Sequence, residues 1–205
     1  MTINLNGALV AVAADFCGKY APWTSIQLRP GPGTNGVFVA ATDEGRIAFL
    51  GYDHGGKGDE EVCLLPTPDL IKNTRPLKSA SRWLEIDGDT AICSKMTKST
   101  TKSEEIPIVR SQSEPPDLVG ALANVAQVWG KDIPDCQSAG NFNAGFLLRS
   151  FKAIEALGGS VTMSHLSGGP LRVESTEGNA IVLVMPELAR PVPPLPDYLT
   201  AFVNS

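Results

Sequence analysis

The chain of 205 residues has few of the side chains from which most enzyme active sites are built. It contains two histidines, His54 and His165, and neither lies at a metal-site spacing or beside a G-x-S-x-G turn. Its acidic pairs, such as Glu60-Glu61, are adjacent in the sequence, and adjacent carboxylates are not spaced for acid and base catalysis. The sequence therefore predicts a protein that is not an enzyme and that needs neither a metal ion nor a cofactor.

Cysteines and long apolar runs are also scarce. The four cysteines lie far apart, at positions 17, 63, 93 and 136, and each has apolar neighbours, which favours buried reduced thiols over disulfides or metal ligands. The sequence contains no apolar run of the roughly 18 residues that a membrane helix needs. No basic region precedes the apolar run near the N-terminus, so no signal peptide is predicted and a cytoplasmic location is expected.

An excess of positive charge is absent as well. The net charge of -5 argues against a protein that coats nucleic acid with its whole surface. Basic residues are nevertheless concentrated between Ile71 and Arg110, which hold eight of the 17 lysines and arginines and five acidic residues. The composition is therefore compatible with one local basic face.

Hydrophobic periodicity predicts that one supersecondary unit, β-α-β-β-β, recurs along the chain. The first copy comprises a strand, an alanine-rich helix and three strands, at 2–5, 8–20, 25–29, 36–41 and 46–52. The second copy has the same order, at 61–65, 68–75, 82–86, 90–94 and 105–109, with Thr67 as a helix N-cap and a turn at Asp87-Gly88. The glycine-rich segment 53–59 lacks a phosphate-loop frame and is predicted to be a mobile hairpin connection.

The second half of the chain repeats the unit less completely. A helix is predicted over 116–131, and no strands follow it directly. A last unit comes after it, with a cap at Asn143, a helix over 144–157 and strands at 139–142, 160–164, 171–175 and 180–185. The sequence thus predicts three full units and one bare helix.

Repeated units with paired helices over one face of antiparallel sheets predict an α+β fold. Two tandem units form a complete domain over residues 1–112. The extra helix and the last unit form a shortened domain over residues 113–190. Residues 191–205 are a proline-rich C-terminal tail, for which an extended spacer is predicted.

Two segments resemble motifs of the bacterial sliding clamp, the beta subunit of DNA polymerase III. VAATDEGRIA at 39–48 is similar to the family's VATDGHRLA, with Glu44 in place of the usual glycine and one residue of the motif absent. GNFN at 140–143, followed by Phe146-Leu147-Leu148, resembles the family's GFN-x-x-YLLD helix entry.

A third segment, VLVMP at 182–186, resembles the family's YVVMP ending. The three motifs keep the family's order over residues 1–188 and match best the second and third of its three domains. The resemblance therefore implies a shortened DNA-clamp fold, with the first domain absent.

The resemblance also implies a function: a processivity factor that encircles duplex DNA and tethers polymerases or clamp loaders. In the family, the two strand motifs meet at a domain junction and form an apolar cleft that receives short partner peptides. Carried over to this sequence, the cleft residues are Thr42, Gly45, Arg46, Ile47, Val182, Val184, Met185 and Pro186. Considered without the family, the valines are ordinary half-buried strand residues and Arg46 is a solvated turn residue.

DNA contact of the clamp type is independent of base sequence, because basic side chains on helices act on phosphates through charge. The candidates on or beside the predicted helices are Lys19, Lys72, Arg75, Lys78, Arg149 and Lys152. The alternative is that these residues are the solvated charges that any helix surface carries.

The expected assembly is a homo-oligomer. A full clamp ring uses six domains and the family's two-domain relatives close as trimers, so a trimer is the first guess. The shortened second domain favours another hypothesis, a clamp-derived interaction module that no longer encircles DNA. The tail could itself occupy the cleft, because Leu199 and Phe202 loosely resemble a clamp-binding peptide.

Overall fold

The computed structural model describes residues 2–31, 35–77, 79–113, 116–121, 141–165 and 169–187. Its helices are α1 (Gly7–Ala14), α2 (Pro68–Thr74) and α3 (Ala144–Leu157). Its strands are β1 (Thr2–Asn6), β2 (Ile26–Pro30), β3 (Asn35–Asp43), β4 (Ile47–Lys57), β5 (Val62–Leu64), β6 (Ser81–Asp87), β7 (Thr90–Met96), β8 (Thr101–Pro107), β9 (Val161–His165), β10 (Leu171–Ser175) and β11 (Ala180–Val184). This order confirms the predicted α+β class.

The first two units exchange their opening strands. β5, which opens the second unit, pairs with β2 of the first, and β1 pairs with β6 of the second. The resulting sheets, β5-β2-β3-β4 and β1-β6-β7-β8, meet where Asn4 lies opposite Lys57. The exchange relates the two units by a pseudo-two-fold axis.

The third unit joins this body through β4. β11 lies antiparallel to the first half of β4, with Ala180 opposite Gly51 and Val184 opposite Ile47. β10 and β9 continue the sheet beyond β11, so that the described strands form one 11-stranded sheet. The three units are therefore connected by main-chain hydrogen bonds.

Helix α1 lies at the centre of the helical layer because it is apolar on all sides. Leu9 to Ala13 are all buried, and α1 packs on β2, β3, β4 and β6 as well as on α2 and α3. Below its C-terminal end, the rings of Phe16 and Phe49 stack with centroids 5.4 Å apart. Each fully buried Val, Leu or Phe side chain in this core contributes about 1.5–3 kcal/mol.

Both predicted helix caps are confirmed. The Thr67 hydroxyl accepts the Leu70 N–H at 3.3 Å, and Asn143 accepts the N–H groups of Gly145 and Phe146. The predicted end of the first helix was wrong, since α1 ends at Ala14 and not at Tyr20. Glycine is a poor helix former, and the Gly18 N–H donates to the Trp23 carbonyl at 2.8 Å in a turn.

The prediction of a mobile connection at 53–59 was also wrong, because β4 continues to Lys57. A Cβ atom on Gly56 would lie 3.0 Å from the Val37 side chain and 3.2 Å from the Asn4 carbonyl oxygen. The absence of side chains there lets β1 and β3 approach β4 closely. The Asp53 carboxylate accepts the Asn6 N–H at 2.6 Å and ties this strand to the start of α1.

Parts of the second half lie outside the described residues. Of the helix predicted over 116–131, residues 118–121 are helical, and 122–131 are not described. Of the strand predicted at 139–142, Asn141 forms a bridge with Glu187. The tail over 191–205 is likewise not described. In the described part of the chain, every helix is too short or too polar to cross a membrane.

Candidate functional site

The candidate site is built on a tight turn between β3 and β4. Glu44 and Gly45 both have positive φ, 54° and 73°, and the Arg46 N–H donates to the Asp43 carbonyl at 3.0 Å. Positive φ at both central residues defines a type I′ hairpin turn, which suits the twist of paired strands. Gly45 adopts this conformation freely, whereas the Cβ of Glu44 makes it unfavourable by about 1–2 kcal/mol.

The Thr42 side chain stabilises this turn through two hydrogen bonds. Its hydroxyl donates to the Ile47 carbonyl at 2.8 Å and accepts the Gly45 N–H at 3.1 Å. Thr42 is buried, so its hydroxyl satisfies main-chain groups that would otherwise lack partners. The role that the geometry supports for Thr42 is to fix the turn.

The end of β11 lies beside this turn. Val184 is opposite Ile47, and one residue later the Met185 N–H donates to the Arg46 carbonyl at 3.1 Å. Beyond this contact Met185 leaves the sheet, and 46% of its surface is exposed. The main chain thus places an exposed methionine next to an exposed arginine.

The structure brings the predicted cleft residues together around this turn and the end of β11, at two depths. Four of them are buried beneath the exposed residues of the site: Thr42, Ile47, Val182 and Val184. Three others, Gly45, Arg46 and Met185, are exposed, and Pro186 is half-buried. The accessible part of the predicted cleft is therefore the second group, and its binding role stays a prediction.

A charged cluster that the sequence reasoning missed adjoins this surface. The Asp43 carboxylate pairs with Arg46 Nη2 at 3.1 Å and with Arg149 Nη1 at 3.3 Å. Both guanidinium groups lie over the Phe146 ring, at 5.8 and 5.5 Å from its centroid. Stacking on an aromatic face and pairing with a carboxylate both orient a planar guanidinium. The cluster therefore holds Arg46 and Arg149 in defined positions.

Helix α3 is anchored at the same place. The Glu187 N–H donates to the Asn141 carbonyl at 2.7 Å, and the Asn143 side-chain amide donates to Glu187 Oε1 at 3.2 Å. Because Asn143 also caps α3, the chain that follows β11 is connected directly to the start of the helix. The turn, the end of β11 and the start of α3 thus form one connected junction.

The predicted DNA-facing residues lie in the helical layer or next to it. Lys19 follows α1, Lys72 and Arg75 lie on α2 and at its C-cap, Lys152 lies on α3, and all four are exposed. Lys78 lies outside the described residues. Arg149 differs from the others because its guanidinium is engaged with Asp43 at the junction. The acidic residues Asp69 and Glu155 are exposed on α2 and α3, so the charge of the layer is mixed.

The cysteines of the described chain are free thiols. Burial raises the pKa of Cys17 to about 12, with a smaller contribution from Asp15 and Asp43. Burial likewise raises the pKa of Cys63 and of Cys93 to about 11. Cys136 lies outside the described residues, and those that are described contain no group of three potential metal ligands.

Comparison with known proteins links this geometry to a fold. No protein-family model and no curated protein sequence matches the chain. Among solved structures, it is similar to the sliding clamp of Pseudomonas aeruginosa, with 11% identity and a TM-score of 0.57 over 91% of this chain and 66% of that one. The DNA polymerase III subunit beta of Borrelia burgdorferi gives 12% identity and a TM-score of 0.58, over 91% and 64%.

An archaeal clamp is similar as well. The chain matches PCNA from Thermococcus kodakaraensis with 10% identity and a TM-score of 0.55, over 90% of this chain and 100% of that one. The chain spans about two thirds of the length of the bacterial clamps it matches. Bacterial and archaeal matches of this coverage, together with the exchanged strands and the helical layer, show that this chain has the DNA-clamp fold.

Proposed function

We propose that this chain is the subunit of a clamp-like processivity factor, an oligomer that encloses duplex DNA and tethers partner proteins. The tether is a short partner peptide bound at the junction of β4 and β11. The proposal rests above all on one contact, the hydrogen bond from the Met185 N–H to the Arg46 carbonyl. It fixes an exposed apolar side chain and an exposed cation next to each other at a strand junction of the DNA-clamp fold.

The chemistry of this surface suits a peptide with apolar anchor residues. Methionine is flexible and polarizable, and it adapts to the shape of a leucine or phenylalanine side chain. Burial of one such anchor contributes about 1.5–3 kcal/mol before the entropy of ordering the peptide is subtracted. Arg46 can donate to peptide carbonyl groups while Asp43 and Phe146 hold it in place.

Enclosure of DNA is supported by the helical layer. Exposed basic residues lie on or at the end of the helices that pack around α1, among them Lys72 on α2, Arg75 at its C-cap and Lys152 on α3. Contacts of such side chains with phosphates are independent of base sequence and weaken steeply with salt. This behaviour suits a protein that moves along DNA.

Peptide binding can be tested by fluorescence anisotropy with a labelled peptide that carries a leucine and a phenylalanine anchor. Met185→Asp is expected to weaken binding about tenfold or more, because it places a charge on the apolar surface. The matched control is Met96→Asp, at an exposed methionine of β7. Equal affinity of Met185→Asp and Met96→Asp would refute the proposed cleft.

Enclosure can be tested by trapping on circular DNA. Protein loaded on a nicked circle should be retained in moderate salt and lost after the circle is cut, because a ring slides off free ends. Equal loss from circular and linear DNA would contradict enclosure while leaving peptide binding intact.

A second candidate function is a peptide-binding module that does not enclose DNA. It is favoured by the described part of the third unit, which contributes one helix and three strands where a complete domain of this chain has two helices and eight strands. Peptide binding without retention on circular DNA would select this candidate.

A further inference from the structure

We propose that the third unit is completed by a second copy of this chain, which packs against it around a two-fold axis. The surface concerned is formed by α3 and β9. We call it the open side and define it by Leu148, Phe151, Val161 and Met163.

The first observation is that β9 has one neighbour where the corresponding strands have two. β2 lies between β5 and β3, and β6 lies between β1 and β7. Among the described residues, β9 pairs with β10 alone. An edge strand presents a row of main-chain donors and acceptors that can pair with another chain. This edge is where the exchanged first strand of another unit would bind.

The second observation is that, among the residues that the structure describes, none covers the core face of β9. Met163 lies opposite Val173, which is fully buried, and directly opposed residues of antiparallel strands share a face. Val161 and Met163 are nevertheless 39% and 58% exposed. On the corresponding strand of the first unit, Ile26 and Leu28 are 0% exposed. The apolar face of the sheet thus continues past the layer that covers it.

The third observation comes from the equivalence of α1 and α3. Asn6 caps α1 and Asn143 caps α3. Two residues before each cap, an asparagine bridges to the final part of its unit: Asn4 lies opposite Lys57 at the end of β4, and Asn141 lies opposite Glu187, three residues after β11. The two helices therefore start in the same way within their units.

This equivalence identifies the residues of α3 that no described part of the chain covers. Counted from the caps, Leu148 corresponds to Ala11 and Phe151 corresponds to Ala14. Ala11 is 6% exposed, whereas Leu148 is 55% exposed. Large apolar side chains on α3 thus occupy places where α1 has small residues within the packed helical layer.

The uncovered flank of α3 turns away from the first unit. Arg149 faces the first unit, since it pairs with Asp43. Phe151 follows two residues later, about 200° around a helix of 3.6 residues per turn, and is 37% exposed. In the complete domain, α2 packs on the corresponding flank of α1, where Gly7 at the start of α1 lies against Thr74 at the end of α2.

A second copy is the occupant that fits these observations. The complete domain shows that two units of this kind assemble by strand exchange around a pseudo-two-fold axis. Two identical third units can form the same arrangement around an exact axis, as an interface in which both copies use the same surface. The open side is therefore complementary to itself.

The copy number tests this proposal, because a two-fold interface requires an even number of chains. Native mass spectrometry of the full chain, of mass 21.7 kDa, should give about 43 kDa for two copies or about 87 kDa for four. A single chain or three chains would overturn the proposal. A single chain would indicate that another segment of the same chain covers the open side.

A double variant tests the surface itself. Phe151→Lys with Met163→Lys should halve the copy number, because two charges would enter the apolar interface. The matched control is Ile92→Lys with Met96→Lys, two exposed apolar residues of β7, and it should leave the mass unchanged. An unchanged mass of the folded double variant, with folding checked by circular dichroism, would refute the interface.

Hydrogen exchange provides a readout that does not depend on the variants. The β9 amides should be protected in the assembled protein and should lose protection on dilution to single chains. Protection that persists in single chains would contradict the proposal. Peptide anisotropy on the same samples separates this result from the proposed function, since the junction of β4 and β11 lies within one chain.

Discussion

Asp43 and Arg149, which are 106 residues apart in the sequence, form an ion pair of 3.3 Å that links the turn of the first unit to the helix of the third. The Asp43 side chain is only 14% exposed, and it also pairs with Arg46. Both arginines contact the Phe146 ring, which explains how one carboxylate can orient two cations. The junction is therefore held by side chains as well as by the pairing of β11 with β4.

The Asp43–Arg149 pair should contribute measurably to stability. A double-mutant cycle of Asp43→Ala and Arg149→Ala is expected to give a coupling free energy of roughly 0.5–1 kcal/mol, because the pair is only partly screened by solvent. Urea unfolding of the four proteins measures it. Lys152→Ala, one turn along α3 at an exposed site, serves as the control and should change stability little. A coupling energy of zero would mean that this ion pair does not stabilise the junction.

Replacement of Glu44 should stabilise the protein. Glu44 has a φ of 54°, a conformation that asparagine tolerates better. Glu44→Asn is therefore expected to raise the free energy of unfolding by roughly 0.5–1 kcal/mol. The loss of the exposed ion pair with Arg46 should offset little of this gain. Thermal unfolding measures the effect, and Glu105→Asn on the exposed strand β8 is the control. A lower melting temperature for Glu44→Asn would disprove this account of the turn.

The salt dependence of DNA binding should identify the basic residues that contact phosphates. For each residue in contact, substitution by alanine is expected to lower the slope of log K against log salt by about 0.9. Lys72→Ala and Lys152→Ala should show this decrease. Arg149→Ala should not, because its guanidinium pairs with Asp43. Lys102→Ala on β8 is the control, and equal slopes for all four variants would exclude the helical layer as the DNA-facing surface.

The raised thiol pKa values predict a loss of stability at high pH. The folded chain holds the Cys17 proton up to about pH 12 and the Cys63 and Cys93 protons up to about pH 11, against an ordinary value of 9.0. Between pH 9.0 and these raised pKa values, the unfolded state binds fewer protons than the folded state. The free energy of unfolding therefore falls as pH rises. Below pH 9 these thiols have no such effect.

Urea unfolding from pH 8 to pH 11 measures this loss. Cys93→Ala should reduce the slope above pH 9, and an unaltered slope would assign the alkaline loss to other groups. In the native protein at pH 8, these thiols should also react much more slowly with an aromatic disulfide than in urea, because the thiolate is the reactive form.

Local chemistry made much of this fold predictable from the sequence. Asn143 and Thr67 marked the starts of two helices because their side chains accept main-chain N–H groups. Two apolar segments joined by a glycine-containing turn marked the hairpin of β10 and β11, and the predicted range 171–175 coincides with β10. The family-like strand motifs predicted that the segments around Arg46 and Met185 meet, and the structure pairs them.

Features that depend on distant contacts could not be predicted in this way. The exchange of β1 and β5 between units is decided by sheet geometry, and no local pattern records it. The glycines that extend β4 resemble a loop in sequence because their role is to let neighbouring strands approach. Strand β8 was predicted at 105–109, whereas the observed strand is Thr101–Pro107. Its polar first half is stabilised by pairing with β7, which the local sequence does not indicate.

The three units that the structure describes have a consequence for the polarity of a ring. A ring of six complete domains needs twelve units. If copies pair through their third units, four chains supply twelve units, whereas three chains do not. Two-fold axes would then lie in the plane of the ring, and turning the ring over would leave it unchanged. In such a ring both faces would carry the same surface, with the junctions of β4 and β11 divided equally between them.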